Sequence, residues 1–212
     1  MIRVLLVDDH PALRRGMKSI LEDAIAGVQV AEAGDGDEAL EVLGAAEARP
    51  FDVVVLDLSM PGRSGIDLLA EVKHRYPKLP VLIMSLHGEE QFAVRSLRAG
   101  ASGYLTKTSA PELLVVAVQK LARGGRYISE SLAERLAADV GGKTASAPHE
   151  RLSDREFEVM RGLASGQSVS EIAEQLKLSV KTVSTYRARL LEKLGMATNA
   201  EVTRYAIQNG LV

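Results

Sequence analysis

Cysteine is absent from this chain of 212 residues. That excludes a disulfide framework, a thiolate metal site and a cysteine nucleophile together. Net charge is nearly absent too. With neutral histidine, 26 basic against 28 acidic side chains leave −2, so overall charge gives no pointer to nucleic acid. Long apolar runs are missing. The opening run Ile2–Val7 is stopped by acids from residue 8, too early for the core of a signal peptide. Val53–Leu56 and Leu113–Val118 are too short to cross a bilayer. A soluble, cytoplasmic protein is the expectation. What is present, 46% apolar and 25% charged residues, is the usage of a packed globular chain rather than a disordered or collagenous one. The length suits one or two domains.

Residues 1–122 alternate between two hydrophobic periods. Ile2–Val7, Val28–Ala33, Val53–Leu56, Val81–Met84 and Gly103–Leu105 are short runs of β-branched and leucine character. Ala12–Ala24, Asp37–Ala48, Ile66–Tyr76, Gln91–Ala99 and Pro111–Arg123 carry helical spacing between them. Continuous apolar strands alternating with helices predict βαβ units around a buried parallel sheet. Five such units predict a doubly wound α/β domain with a five-stranded parallel sheet, its site at the carboxyl ends of the strands.

Residues 123–148 change character. Gly124-Gly125 opens the segment, and a run of small residues from Gly141 to Pro148 closes it. Between them Ser131-Leu132-Ala133-Glu134 forms a capping box, which predicts a linker helix over about residues 131–140 followed by a tether. Residues 149–212 show no strand pattern. The boxes Ser153–Glu156, Ser168–Glu171 and Thr198–Glu201, with a further start at Ser179, predict four helices in a small all-α domain.

Four strand ends carry polar residues that belong together chemically. Asp8 and Asp9 follow the first strand, Asp57 the third, Ser85 the fourth and Lys107 the fifth. Three carboxylates in one cleft repel each other and call for a cation. Hard oxygen donors with open positions suit Mg2+, which keeps waters and takes phosphate oxygens. A hydroxyl and a compact ammonium beside them suit a phosphoryl group. The set predicts phosphoryl transfer to a carboxylate, with Asp57 attacking in line. Each residue alone has an ordinary reading, as a helix cap or a surface lysine. Their conjunction at these strand ends is what points to chemistry.

Val7-Asp8-Asp9-His10, Leu56-Asp57-Leu58-Ser59-Met60-Pro61-Gly62, Met84-Ser85 and Gly103-Tyr104-Leu105-Thr106-Lys107 resemble the receiver domain of two-component response regulators. The resemblance implies a flavodoxin-like fold, and it implies that Asp57 accepts phosphate from the phosphohistidine of a sensor histidine kinase. It implies that Asp9 binds Mg2+ directly, that Asp8 does so through water, and that the Ser59 carbonyl is another ligand. Ser85 and Tyr104 would be the switch pair, and Lys107 would ion-pair with the phosphoryl group. Thr108 stands where many receivers have proline, and Ser85 where threonine is frequent.

Charge in the last segment is uneven. Residues 177–195 carry five basic side chains against Glu192, whereas residues 150–174 carry three basic against six acidic. One helix is therefore a candidate to face phosphates. On it Val183, Leu190 and Leu194 point to a core with Phe157, Met160, Leu163, Ile172 and Leu176. Lys181, Ser184, Thr185 and Ala188 form a small polar face that fits a major groove. Lys181, Arg187, Arg189 and Lys193 flank it within reach of phosphates. Leu152–Glu156, Ile172–Leu176, Ser179-Val180-Lys181-Thr182-Val183 and Lys193-Leu194-Gly195 resemble the LuxR-type helix-turn-helix of NarL/FixJ response regulators. The resemblance places a scaffold helix at about 168–176 and a recognition helix at about 179–194. It adds Thr182 to the contact set and puts Tyr186 where many relatives have histidine.

The two resemblances together imply a transcription factor switched by phosphorylation, dimeric when phosphorylated and acting on promoter DNA. Its only catalysis would be Mg2+-dependent self-phosphorylation from a phosphodonor and slow self-dephosphorylation. Two other classes fit parts of the sequence. An aspartyl phosphatase commonly has a second acid two residues after its nucleophile, and here that residue is Ser59. A receiver kept as an interaction module would bind DNA without regard to phosphate.

Overall fold

The computed structural model describes residues 1–46, 50–58, 60, 65–85, 90–129, 132–134, 147–176 and 178–212. The chain divides into two compact units, Met1–Ala137 and Ala138–Val212.

In the first unit β1 (Arg3–Val7), β2 (Gln29–Ala33), β3 (Val53–Asp57), β4 (Val81–Ser85) and β5 (Gly103–Thr106) form one parallel sheet in the order β2-β1-β3-β4-β5. The helices are α1 (Pro11–Ala24), α2 (Gly36–Ala45), α3 (Gly65–Arg75), α4 (Glu90–Arg98) and α5 (Pro111–Ala122). Central strands β3 and β4 are buried at every residue, as a parallel sheet covered on both faces requires, and edge strand β2 only at Ala33. Met17 and Leu21 of α1 and Ile25 just after it join Leu114, Val118 and Leu121 of α5 over Val4, Leu6, Val53, Val55 and Leu82. Each fully buried leucine or isoleucine there contributes about 1.5–3 kcal/mol. Alternate strand residues such as Leu5, Leu56 and Ile83 project to the other face, which α2, α3 and α4 cover. The doubly wound α/β expectation holds.

The strands run further than their apolar letters. Backbone pairing carries β3 to Asp57, opposite Met84, and β4 to Ser85, opposite Thr106. Asp57 and Ser85 therefore sit in the ladder, whereas Asp8, Asp9 and Lys107 directly follow their strands. The helix expected over Asp37–Ala48 is seen to Ala45, and residues 47–49 lie outside the described residues. Asp35 caps it, accepting the N–H groups of Asp37 and Glu38 at 2.9 Å.

The segment that reads as linker begins on the sheet. Tyr127 bridges Gly103 in parallel; its N–H donates to Ser102 O at 3.1 Å, and its carbonyl accepts the Tyr104 N–H at 3.0 Å. Any Cβ at Gly103 would stand 2.7 Å from the Tyr127 carbonyl oxygen, so only glycine admits this approach. Residues 132–134 are helical, with the Leu132 N–H donated to Ser129 Oγ; the rest of the linker helix expected over 131–140 lies outside the described residues.

In the second unit a 3-10 turn (Pro148–Arg151) precedes α6 (Asp154–Ala164), α7 (Val169–Gln175), α8 (Val180–Leu194) and α9 (Asn199–Gln208). All three expected capping boxes form, at Ser153, Ser168 and Thr198, and Ser179 caps α8 by accepting the Thr182 N–H at 3.0 Å. Gly195 ends α8 in the left-handed conformation, φ 66°. Phe157, Val159, Met160, Val183, Leu190, Val202 and Ala206 are fully buried and make the core.

Candidate phosphoryl-transfer site and recognition helix

The sheet order reverses beside β1: the chain passes to β2 on one side and β3 on the other. At such a switch point the loops diverge and leave a cleft at the carboxyl ends. Asp8 follows β1, its N–H still donated to Ala33 O at 3.2 Å, and Asp57 closes the neighbouring β3. Lys107 follows β5, with its N–H on Ser85 O at 2.8 Å. Its Nζ stands 2.7 Å from both Asp8 Oδ2 and Asp57 Oδ2, and all three side chains are at most 2% exposed. The turn after Lys107 is fixed by Thr106 Oγ1, 2.8 Å from Ser109 Oγ and 3.1 Å from Thr108 Oγ1.

One buried ammonium does not balance two buried carboxylates, and Asp9 adds a third at the rim. Buried charge of one sign without a counterion is costly. Asp8 Oδ2 and Asp9 Oδ1 are buried without a well-formed hydrogen bond. Asp8, Asp9, His10 and Asp57 each offer an atom within 4.8 Å of the others. This oxygen-rich donor set fits Mg2+. Ser85 is fully buried at the end of β4, and Tyr104, on β5 in register with Ile83, is 8% exposed. The fold thus brings Asp8, Asp9, Asp57, Ser85 and Lys107 to one end of the sheet. Ser59 lies outside the described residues.

Two contributors were not singled out from sequence. His10 donates its N–H to Asp8 Oδ1 at 2.8 Å and places Nδ1 2.9 Å from Asp9 Oδ1. Gly65 opens α3 directly against the end of β3; a Cβ there would meet Leu58 Cα at 2.5 Å and Asp57 O at 2.7 Å. The signal for Gly65 was a glycine at a helix start, which many unrelated helices share.

In the second unit Leu178, just before α8, donates its N–H to Ala173 O of α7 at 2.8 Å. Val183, Leu190, Leu191 and Leu194 of α8 are buried. Lys181, Ser184, Thr185, Ala188 and Arg189 are exposed, Thr182 half-buried at the cap. Thr185 Oγ1 donates to Lys181 O at 3.0 Å. Two basic residues of the expected contact set have partners within the chain. Arg187 Nε donates to Asn199 Oδ1 at 2.7 Å, and Lys193 Nζ to Glu156 Oε2 at 2.6 Å. Burial pushes the Glu156 carboxyl up, but Lys193 and the Ser153 donors more than offset it and hold it below its ordinary value.

Two family models match the chain, a response regulator receiver domain over residues 4–119 and the luxR family of bacterial regulatory proteins over residues 150–206. The chain belongs to the response regulators that join a receiver to a LuxR-type helix-turn-helix, a class of DNA-binding transcription regulators in two-component systems. It is 38% identical to the response regulator UvrY of Escherichia coli K12 over 213 residues, spanning 100% of this chain and 96% of that protein. It is likewise 38% identical to the response regulator GacA of Pseudomonas protegens, over 100% of this chain and 98% of that protein. Among solved structures, RcsB of Salmonella enterica serovar Typhimurium bound to promoter rprA with the phosphomimetic BeF3- superposes with a TM-score of 0.64. That match has 29% identity and covers 97% of this chain and 98% of RcsB. Among the described residues no helix is long and apolar enough to cross a membrane.

Proposed function

We propose that Asp57 accepts a phosphoryl group from a histidine kinase and that this modification governs promoter binding through α8. The observation that carries the reading is the buried Asp57 carboxylate, 2.7 Å from Lys107 and clustered with Asp8 and Asp9 at the switch point of the sheet. An Asp57 oxygen attacks phosphorus; the new P–O bond forms as the P–N bond to imidazole breaks, and the imidazole leaves with the bonding pair. Lys107 faces charge on the transferred group, and Ser85 stands at the next strand end to donate its hydroxyl. Asp8 and Asp9 with Asp57 would hold Mg2+, which supplies neutralisation of the phosphoryl oxygens when bound. Catalysis is limited to this self-phosphorylation and slow self-dephosphorylation.

On the output side Lys181 and Arg189 are exposed for phosphates, and Ser184, Thr185 and Ala188 present a face small enough for a major groove. The phosphorylated protein acts in the cytoplasm as a homodimer on two half-sites. The phosphoryl group shifts a pre-existing equilibrium by its differential stabilisation of the active state.

The test is intact mass after incubation with a small acyl phosphate and Mg2+. The expected result is a gain of one phosphoryl group, lost in Asp57→Asn and without Mg2+. No gain from the acyl phosphate or from a phosphorylated histidine kinase would refute the reading.

A further inference from the structure

Asp8 is held on several sides. Its N–H donates to Ala33 O at 3.2 Å, its Oδ1 accepts the His10 N–H at 2.8 Å, and its Oδ2 lies 2.7 Å from Lys107 Nζ. Its carbonyl accepts Nη1 of Arg14, from the first turn of α1. The same guanidinium donates through Nε to Glu32 Oε2 at 3.1 Å. Lys18, one turn further along α1, donates to the other oxygen of Glu32 at 3.0 Å. Glu32 lies on β2 opposite Leu6, two residues before Asp8. Arg14 therefore ties α1, β2 and the end of β1 together at one carbonyl.

That carbonyl is not an arbitrary one. The Asp8 C=O and the Asp9 N–H belong to one rigid peptide plane, so orienting the carbonyl orients the residue that follows. Asp9 is the acid at the rim, whose direction is not fixed by the sheet ladder. Two donors of a planar fork reach two acceptors that a lysine could not span together. We infer that Arg14 is a positioning residue for phosphoryl acceptance: its guanidinium sets the Asp8–Asp9 peptide, and through it the Asp9 carboxylate, for a divalent cation. The inference rests on the reading of this cluster as a Mg2+-dependent acceptor site.

As a plain helix-to-strand ion pair, Arg14–Glu32 would matter little. The Glu32 side chain is 27% exposed, and such pairs contribute about 0–1 kcal/mol. The two roles separate experimentally. Partners that orient metal ligands typically change metal affinity by about 10–100-fold when removed. In Arg14→Ala the half-saturating Mg2+ concentration for phosphorylation by an acyl phosphate should rise about tenfold or more, with the rate at saturating Mg2+ near wild type. Calorimetric titration of Mg2+ into the unphosphorylated protein should show the same loss. Arg14→Lys should restore only part of it, whereas Glu32→Gln, which keeps an acceptor for Nε, should stay near wild type. Arg75→Ala, which breaks the exposed Arg75–Glu71 pair on α3, is the control and should change nothing. If Arg14→Ala does not fold, Arg14→Lys carries the test alone. Unchanged Mg2+ half-saturation in the folded Arg14 variants would overturn the proposal. A wild-type chain that neither binds Mg2+ nor gains a phosphoryl group would instead overturn the acceptor reading beneath it.

Discussion

Lys193 illustrates how a single side chain can be claimed by two functions. Its position on a basic helix suits a phosphate contact, yet its ammonium lies 2.6 Å from Glu156, a carboxylate only 2% exposed. Removing one partner of such a pair leaves a buried group short of a donor, at a cost of about 1–3 kcal/mol. Lys193→Met should lower the melting temperature of the second unit while leaving the salt dependence of DNA binding unchanged. Lys181→Ala should do the reverse, reducing the slope of log affinity against log salt by about 0.9 with stability kept. Anisotropy titrations at several salt concentrations, paired with thermal melts, distinguish the two. Glu156 also sets a pH dependence. Its folded pKa is lowered, so its contribution is complete above the ordinary value of 4.5 and is lost as pH falls below it. Melts between pH 6 and about pH 3 should show that loss in the wild type and a smaller one in Lys193→Met.

At the level of elements, glycines with similar surroundings in sequence play opposite parts. Gly162 lies within α6 where α7 crosses it; an added Cβ would be 2.7 Å from Ile172 Cγ1 and 2.8 Å from Gln167 Oε1. Ile172 is 2% exposed, so any shift that makes way for the Cβ disturbs a buried side chain. Gly162→Ala should therefore destabilise the second unit by about 1–3 kcal/mol, as overpacking does, despite the better helix propensity of alanine. Gly16, inside α1, has nothing within 4 Å of the same virtual atom. Gly16→Ala should stabilise the first unit by about 0.5–1 kcal/mol. Denaturant titration of each variant measures both. Equal effects would mean that the α6–α7 approach is not a tight one. The capping boxes belong to this scale too, and they were legible because both reciprocal bonds of each box are local in sequence.

At the level of the whole chain, each unit has its own apolar core, one around a parallel sheet and one around four short helices. Ligand that binds only the folded receiver stabilises only that core, by about 2.7 kcal/mol at a concentration 100 times its Kd. Calorimetry with beryllofluoride and Mg2+ should raise the transition of the Met1–Ala137 unit and leave the other in place. Movement of both, or of neither, would contradict an acceptor site confined to the first unit. Asp57→Asn should abolish the shift.

Fold class was readable because strand and helix periods are properties of neighbouring letters. Runs such as Val53–Leu56, buried on both faces, and boxes such as Ser168–Glu171 state their geometry directly. The acid, hydroxyl and lysine at four strand ends were readable because a parallel sheet puts all its carboxyl ends on one side. What the letters do not contain is distance between elements far apart along the chain. That Lys107 divides itself equally between Asp8 and Asp57, that Lys193 is held by Glu156, and that Tyr127 returns to the edge of β5 depend on side chains and backbones meeting across dozens of residues. Arg14 shows the same limit: an arginine on a helix face looks solvated until β2 brings Glu32 beside it and β1 turns the Asp8 carbonyl toward it. Local pattern determined the elements and the chemistry at their ends. Only packing decided which charges are partners, because burial and pairing are set by the sheet order and not by sequence spacing.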